Sequence, residues 1–230
     1  MSVRKIALVE GEYYHLYSRG NSKQKIFLDD NDYKHFIKCL FVCNTTKKFK
    51  FSRNIKMNPF DFDRENTLVS IGAWVLMPNH FHLYVIAPHQ SEFVLKDNQN
   101  RISEFMRKVL TAYSLYFNKK YNRTGGLFEG RFKSVHVNTD NQAKYLFSYI
   151  HLNPIKIIQK DWKEEGINDA KEALKFLDSY KWSSYYDYNN ITKRSENLIL
   201  KKDDFPTCFV GLKDFNKEIL TWLTYNEEEI

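Results

Sequence analysis

The sequence has few of the features that mark secreted, membrane-bound or ATP-consuming proteins. Only three of its 230 residues are cysteine, too few for a disulfide framework or a paired CxxC zinc site, and unpaired thiols fit a reducing cytosol. No apolar run is long enough to span a membrane, and residues 1–10 lack the apolar stretch of a signal peptide. A GxxxxGK[ST] phosphate loop is also missing. We therefore expect a cytoplasmic protein with no membrane anchor.

Aromatic and basic side chains are abundant instead. Aromatic residues make up 16% of the chain within a hydrophobic content of 43%, which is enough for a real core. The net charge is +7, and residues 101–133 hold eight basic residues against two acidic ones. Residues 196–230 have the opposite balance, with four basic and eight acidic residues. The basic stretch is typical of binding to a phosphate backbone, although a solvated helix face explains part of it.

Two histidines separated by one residue form a candidate metal-binding pair. His80 and His82 follow the turn signal Pro78-Asn79 in an apolar run that predicts a β-strand. Side chains two apart on a strand point to the same face, so both imidazoles project together while Phe81 points into a core. Such a pair can hold one metal ion.

Tyr149 and Asn153 supply the other groups of this candidate site. They lie four residues apart in a predicted helix, which places the phenol and the carboxamide on one face. Together with the histidines they suit metal-assisted attack by a tyrosine. Imidazole pairs favour zinc, nickel or copper, but oxygens from Asn153 and a phosphate make Mn²⁺ or Mg²⁺ workable. Tyr145, one turn earlier on the same face, is an alternative nucleophile.

The order of predicted elements gives the fold class. The predicted elements are, in chain order, a strand over residues 12–19, a helix capped by Asp29 or Asp30, a hairpin over 68–86, a helix over 102–117, a strand over 132–137 and a helix from about Asn141. This βαββαβ order predicts an α+β, ferredoxin-like antiparallel sheet with helices packed on it. We place the catalytic domain at residues 1–160 and a helical extension packed on it at 161–230, with helices near 170–177 and 214–223.

The chain resembles the IS200-type HUH single-tyrosine transposases, and most closely their REP-associated branch. The resemblance spans roughly residues 12–188 and is carried by five blocks in the family's order: Tyr14–Asn21 (YHLYSRGN), Met77–His82 (MPNHFH), Gly126–Ser134 (GLFEGRFKS), Tyr149–Pro154 (YIHLNP) and Trp182–Tyr185 (WSSY).

This resemblance implies a ferredoxin-like fold and a DNA-cleaving activity. Matching the family's Tyr-Ile-x-x-Asn-Pro block selects Tyr149 as the nucleophile, with Mg²⁺ or Mn²⁺ as the metal. The implied substrate is single-stranded DNA with a hairpin, joined to the tyrosine through a 5′-phosphotyrosine bond. Many relatives have glutamine at the position of Asn153, and asparagine reaches one methylene less far. Relatives occur as dimers with shared sites or as monomers, so both states remain open.

Seven residues are candidate DNA contacts. They combine basic or polar side chains with positions beside the predicted site: Arg19, Asn21, Lys119, Lys120, Arg123, Arg131 and Lys133. For each of them a turn cap, a structural salt bridge or a solvated surface is the competing interpretation. The WSSY block is interpreted as packing of the C-terminal segment on the core, with hairpin recognition as the alternative.

Three functions are compatible with these residues. The first is a transposase that cleaves and rejoins single-stranded DNA, which requires His80, His82 and Tyr149 together. The second is a domesticated, structure-specific DNA-binding protein without turnover. The third is an unrelated metal hydrolase, which ranks last because no acidic cluster surrounds the histidines.

Overall fold

A computed structural model describes residues 7–47, 58–88, 100–189 and 193–206, together with Phe215, Asn216, Ile219 and Thr221. The four strands of its sheet are Tyr13–Arg19 (β1), Ser70–Met77 (β2), His80–Ile86 (β3) and Lys133–Val137 (β4). The α-helices of the described part are Asp30–Val42 (α1), Arg101–Lys120 (α2), Asp140–Leu152 (α3), Trp162–Glu165 (α4), Ala170–Ser179 (α5) and Tyr185–Tyr188 (α6).

The strands form one antiparallel sheet in the order β2-β3-β1-β4. With α1 between β1 and β2, and α2 between β3 and β4, this order confirms the predicted α+β, ferredoxin-like βαββαβ fold. The two faces of the sheet carry different helices. Phe81 of β3 packs its ring against Phe36 of α1, whereas the next residue, His82, packs against Tyr149 of α3.

Side-chain caps set where the helices begin. The Asp29 carboxylate accepts hydrogen bonds from the backbone N–H groups of Asn31 and Asp32, and the Asp32 carboxylate accepts one from the N–H of Asp29. This reciprocal capping box makes Asp29, rather than Asp30, the N-cap of α1 among the two predicted candidates. Thr139 caps α3 by accepting from the Gln142 N–H at 3.2 Å, which starts the helix that carries Tyr149.

The segment after α3 returns to the sheet and pairs with the outer edge of β2. The Leu76 N–H donates to the Trp182 carbonyl, and the Ser184 N–H donates to the Trp74 carbonyl, both at 2.9 Å. The WSSY block thus packs on the core, as its first interpretation predicted. Further along, the ring of Phe205 lies against Gly72 so closely that a Cβ there would come within 2.6 Å of it.

Some predictions concern residues that are only partly described. The predicted helix at 214–223 is helical at its four described residues, and its remaining residues lie outside the described part. The boundary between a catalytic domain and an extension at residue 160 stays a prediction. In the part of the chain that the structure covers, no helix is both long and apolar enough to cross a lipid bilayer.

Candidate active site

The two strand histidines project from the same face of the sheet, as their spacing predicted. In the β1–β3 register His80 lies opposite Arg19 and His82 lies opposite Tyr17. Phe81, between them, is fully buried on the other face. The histidine side chains therefore face the layer occupied by α3, and a rigid, hydrogen-bonded strand pair fixes their spacing.

A hydrogen bond at Nδ1 defines the tautomer of His80, and Nδ1 of His82 faces a second histidine. Asn79 donates from Nδ2 to the Lys23 carbonyl, so its Oδ1 faces His80 Nδ1 at 2.6 Å and accepts the ring proton. His82 Nδ1 lies 2.8 Å from Nε2 of His15, a β1 residue. With the proton on His82 Nδ1, Nε2 of both strand histidines carries a lone pair, which is the arrangement of metal-binding imidazoles.

The histidines are neutral at physiological pH. Burial lowers the pKa of His80 to about 4, with the Asn153 side chain acting in the opposite direction. Burial, followed by the positive charge of Lys163, lowers the pKa of His15 to about 4. Burial also holds the pKa of His82 well below its usual range. Neutral imidazole is the form that coordinates metal ions.

Two buried acceptors of the site lack hydrogen-bond partners among the described residues: His82 Nε2 and Asn153 Oδ1. An unpaired buried polar atom costs roughly 1–3 kcal/mol. A divalent cation accepts lone pairs from nitrogen and oxygen atoms of this kind, so the donor set fits a metal. Across the described residues no cluster of three or more His, Cys, Asp or Glu side chains is arranged to hold a metal. A metal here therefore depends on the carboxamide of Asn153 in addition to the histidines.

Tyr149 lies in the last turn of α3, and its ring contacts His82 and His15. Its ring meets His82 edge to face at a centroid distance of 5.3 Å, and it meets His15 in the same way at 6.2 Å. The Lys163 ammonium lies 3.8 Å from the centroid of the Tyr149 ring. One chain thus brings the tyrosine and the histidines of the candidate site together.

Tyr145, the alternative nucleophile, and two tyrosines of α2 occupy other surroundings. Tyr145 stacks on Tyr149 but does not line the cavity in front of His80. On α2, the Tyr113 hydroxyl donates to the Ile26 carbonyl, and the Tyr116 hydroxyl donates to Asp32 at 3.1 Å. Tyr149 lines the cavity together with Tyr17 of β1, whose ring lies 5.7 Å from that of His82.

A cavity of about 570 Å³ opens in front of these groups. His80, His82 and Tyr149 line it, and positive charge surrounds them. The cationic lining residues are Arg19, Lys23, Arg131, Lys133, Lys156 and Lys160. The acidic lining residue, Glu129, is ion-paired with Arg19, and that guanidinium lowers the pKa of the Glu129 carboxyl. The arrangement suits a polyanion whose phosphate reaches Tyr149.

The predicted DNA contacts divide into two groups. Arg19, Arg131 and Lys133 line the cavity, whereas Asn21, Lys119, Lys120 and Arg123 do not. Lys120 is held by Asp29 at 2.8 Å and by Asp32 at 2.7 Å, and the Arg123 guanidinium lies over the Phe117 ring at 5.5 Å. DNA contacts by either group stay a prediction.

Sequence alone did not identify several residues of the site, among them His15, Lys156, Lys160 and Lys163. His15 shares a face with Tyr17 and Arg19 by the alternation of β1, which was the available signal. Lys156 lies three residues after Asn153, and Lys160 lies four residues after Lys156; both line the cavity. Their clustering depends on how the chain turns after α3, which residue spacing alone does not reveal.

The remaining histidines near the site have structural contacts. His136 lies opposite Tyr14 in the β1–β4 register, on the other face of the sheet from His15. Its Nε2 lies 2.9 Å from Oε2 of Glu12. His151 is buried and lies 2.8 Å from the Ser184 hydroxyl, so it joins α3 to the WSSY block.

Two solved structures are similar to this chain. A REP-associated tyrosine transposase, solved bound to a REP hairpin, aligns with a TM-score of 0.44 and 13% identity over 81% of this chain and 84% of its own. A candidate transposase from Deinococcus radiodurans aligns with a TM-score of 0.33 and 13% identity over 63% of this chain and 92% of its own. No protein-family model and no curated protein matches the sequence.

Proposed function

We propose that this protein is a transposase that cleaves and rejoins single-stranded, hairpin-containing DNA, with Tyr149 as the nucleophile. The observation that carries the proposal is the position of Tyr149, edge-on to His82 within a cavity lined by six cationic side chains. The hairpin preference comes from the resemblance to the REP-associated branch.

The cationic side chains bind and orient the strand. Lys156 and Lys160, from the segment after α3, and Lys133, from β4, hold phosphates on both sides of the cavity. The Tyr149 oxygen attacks the scissile phosphorus. The Tyr149 phenol gives up its proton as the Tyr149 O–P bond forms, the P–O3′ bond breaks, and the released 3′ oxygen takes up a proton, so no net proton is gained or lost. The product is a 5′-phosphotyrosine bond and a free 3′-hydroxyl.

His80, His82 and Asn153 would hold the divalent metal, with Mg²⁺ or Mn²⁺ as our proposal. When bound, the ion supplies Lewis-acid polarisation of a phosphoryl oxygen. His15 and Asn79 hold the two imidazoles through their Nδ1 atoms, so Nε2 faces the metal position. Rejoining is the reverse reaction, with a second 3′-hydroxyl attacking the phosphotyrosine. The phosphotyrosine bond conserves the free energy of the cleaved phosphodiester, so rejoining consumes no nucleoside triphosphate.

A covalent-adduct gel tests this function. The protein is incubated with Mn²⁺ or Mg²⁺ and labelled single-stranded hairpin DNA from the flanks of its own gene, beside Tyr149→Phe and Tyr145→Phe. We expect a metal-dependent, slower-migrating band for the wild type and Tyr145→Phe, and none for Tyr149→Phe.

Each other pattern rejects the proposal in a specific way. A band that survives in Tyr149→Phe but disappears in Tyr145→Phe identifies Tyr145 as the nucleophile. Cleavage without an adduct indicates a metal hydrolase. Binding with neither cleavage nor adduct, on a panel of flanking hairpins, indicates a domesticated DNA-binding protein.

A further inference from the structure

A second cavity, of about 460 Å³, lies beside the candidate active site. It shares Tyr17, His82 and Tyr149 with the cationic cavity, so Tyr149 stands at the boundary between the two. A strand whose phosphate reaches Tyr149 in the first cavity therefore has its neighbouring nucleotide at the entrance of the second.

The linings of the two cavities differ in chemistry. The second cavity contains one lysine, Lys163, where the first has six cationic side chains. Its walls are mainly apolar and aromatic, with Val135, Leu146 and Tyr145 among them, and Gln142 adds a carboxamide. Val135 is 45% exposed and Tyr145 is 46% exposed, so both present apolar surface at this cavity. Such a lining suits a flat, uncharged ring system better than a phosphate.

The Tyr145 ring is held in a fixed orientation. It lies parallel to Tyr149, with 4° between the planes and 6.1 Å between the centroids. The Lys163 ammonium contacts the Tyr145 hydroxyl at 3.3 Å and lies over both rings. A pre-oriented, exposed aromatic ring is the usual stacking surface for a base of single-stranded nucleic acid.

We propose that the second cavity binds the nucleobase next to the scissile phosphate, with Tyr145 as its stacking surface. This inference rests on the proposed function and gives it a specificity-determining subsite. The base enters between Val135 and Tyr145, while its phosphate stays among the lysines of the first cavity. Stacking there fixes the position of the phosphate relative to Tyr149, and a nucleotide without a base loses that contact.

An abasic scan of the DNA tests the subsite by binding alone. Each base in the single-stranded part of a hairpin from the gene's flanks is removed in turn. Affinity is then measured for Tyr149→Phe, which does not form the adduct, and for the same protein carrying Tyr145→Ala or Tyr145→Phe. We expect one position where base removal weakens binding to Tyr149→Phe by about 5- to 150-fold, the range of base–aromatic stacking.

The decisive result is whether a substitution at Tyr145 changes the loss of affinity that removal of one particular base causes. In Tyr145→Ala we expect removal of the base at that one position to cause no further loss of affinity. In Tyr145→Phe, which retains the ring, we expect the full loss of affinity, called the penalty below. Leu115→Ala, at a 67% exposed residue outside both cavities, is the matched control and keeps the full penalty. Penalties that are equal in Tyr145→Ala and its parent at every position overturn the subsite and leave the proposed function standing. Failure to bind any single-stranded DNA overturns the proposed function instead.

Discussion

At the scale of single residues, His15 is the least expected member of the site. Its Nε2 lies 2.8 Å from His82 Nδ1, and its ring stacks on both Tyr17 and His82. When His15 Nε2 is the acceptor of this contact, the His82 proton is on Nδ1 and Nε2 is available. His15 thus acts on the metal position through His82, as a positioning residue.

Replacing His15 tests this role. We expect His15→Leu to weaken Mn²⁺ binding by about 10- to 100-fold, because the support for His82 is lost. His15→Gln retains an acceptor and is expected to restore most of the affinity. Isothermal titration calorimetry on the DNA-free protein measures both, with circular dichroism as the control for folding. Equal affinities of His15→Leu and the wild type would show that His82 needs no such support.

Sequence alone predicted the strand histidines but not their partner. The alternation of β3 suffices to place His80 and His82 on one face. The contact of His82 with His15 depends on the register of β1 against β3, which joins residues 67 positions apart. Lys120 illustrates the opposite case. Its charge contributes to a basic stretch in the sequence, yet the fold places it between Asp29 and Asp32.

At the scale of elements, the segment after α3 completes the sheet. β2 is at the edge of the sheet, and an unpaired edge exposes backbone groups to other chains. The WSSY block covers that edge, and Ser184 is its central contact. The Ser184 hydroxyl accepts from the Trp74 N–H at 2.9 Å and lies 2.8 Å from His151 of α3. One side chain thus joins the edge strand to the tyrosine-bearing helix.

Removing this hydroxyl is expected to destabilise the protein. Ser184→Ala leaves the buried backbone N–H of Trp74 without its side-chain acceptor. We therefore expect the free energy of unfolding to fall by about 1–3 kcal/mol. Ser195→Ala, at an exposed serine of the same C-terminal region, is the control and is expected to change it by less than about 0.5 kcal/mol. Urea unfolding measures both variants. Indistinguishable midpoints would mean that the WSSY block adds no stability through Ser184.

The elements themselves were largely predictable, because hydrophobic periodicity and caps are local. The hairpin was expected over residues 68–86, and its strands are Ser70–Met77 and His80–Ile86. The pairing of Trp182–Ser184 with β2 was not predictable in detail. It joins segments about a hundred residues apart, and no periodic pattern in the block specifies a partner strand.

At the scale of the whole molecule, cation placement predicts how DNA binding responds to salt. Each phosphate contact on single-stranded DNA contributes about 0.7 to the slope of log K against log salt. We expect Lys160→Ala to reduce the slope by about that amount, since Lys160 lines the cationic cavity. Lys120→Ala is expected to leave the slope unchanged, because aspartates already neutralise Lys120. Fluorescence anisotropy over a salt series measures both. Equal effects of the two substitutions would reject the cavity as the DNA path.

The buried histidines predict how the stability of the whole protein depends on pH. Burial lowers the pKa of His15, His35 and His80 to about 4 and that of His151 to about 3, against about 6.5 in an unfolded chain. Between these values the unfolded state binds more protons than the folded state. Stability is therefore retained above pH 6.5 and lost as the pH falls towards 4. Thermal unfolding in metal-free buffer is expected to show a steadily falling Tm from pH 6.5 to 4.5, and a constant Tm would contradict the neutral, buried histidines.

We propose above that Tyr149 forms a covalent bond with a DNA 5′-phosphate. Mass spectrometry of the trapped adduct after nuclease and protease digestion tests this bond. We expect a residual nucleotide attached through phosphate to the peptide that contains Tyr149, and a released strand ending in a 3′-hydroxyl. A nucleotide on the Tyr145 oxygen, or a released strand ending in a 3′-phosphate, would contradict it.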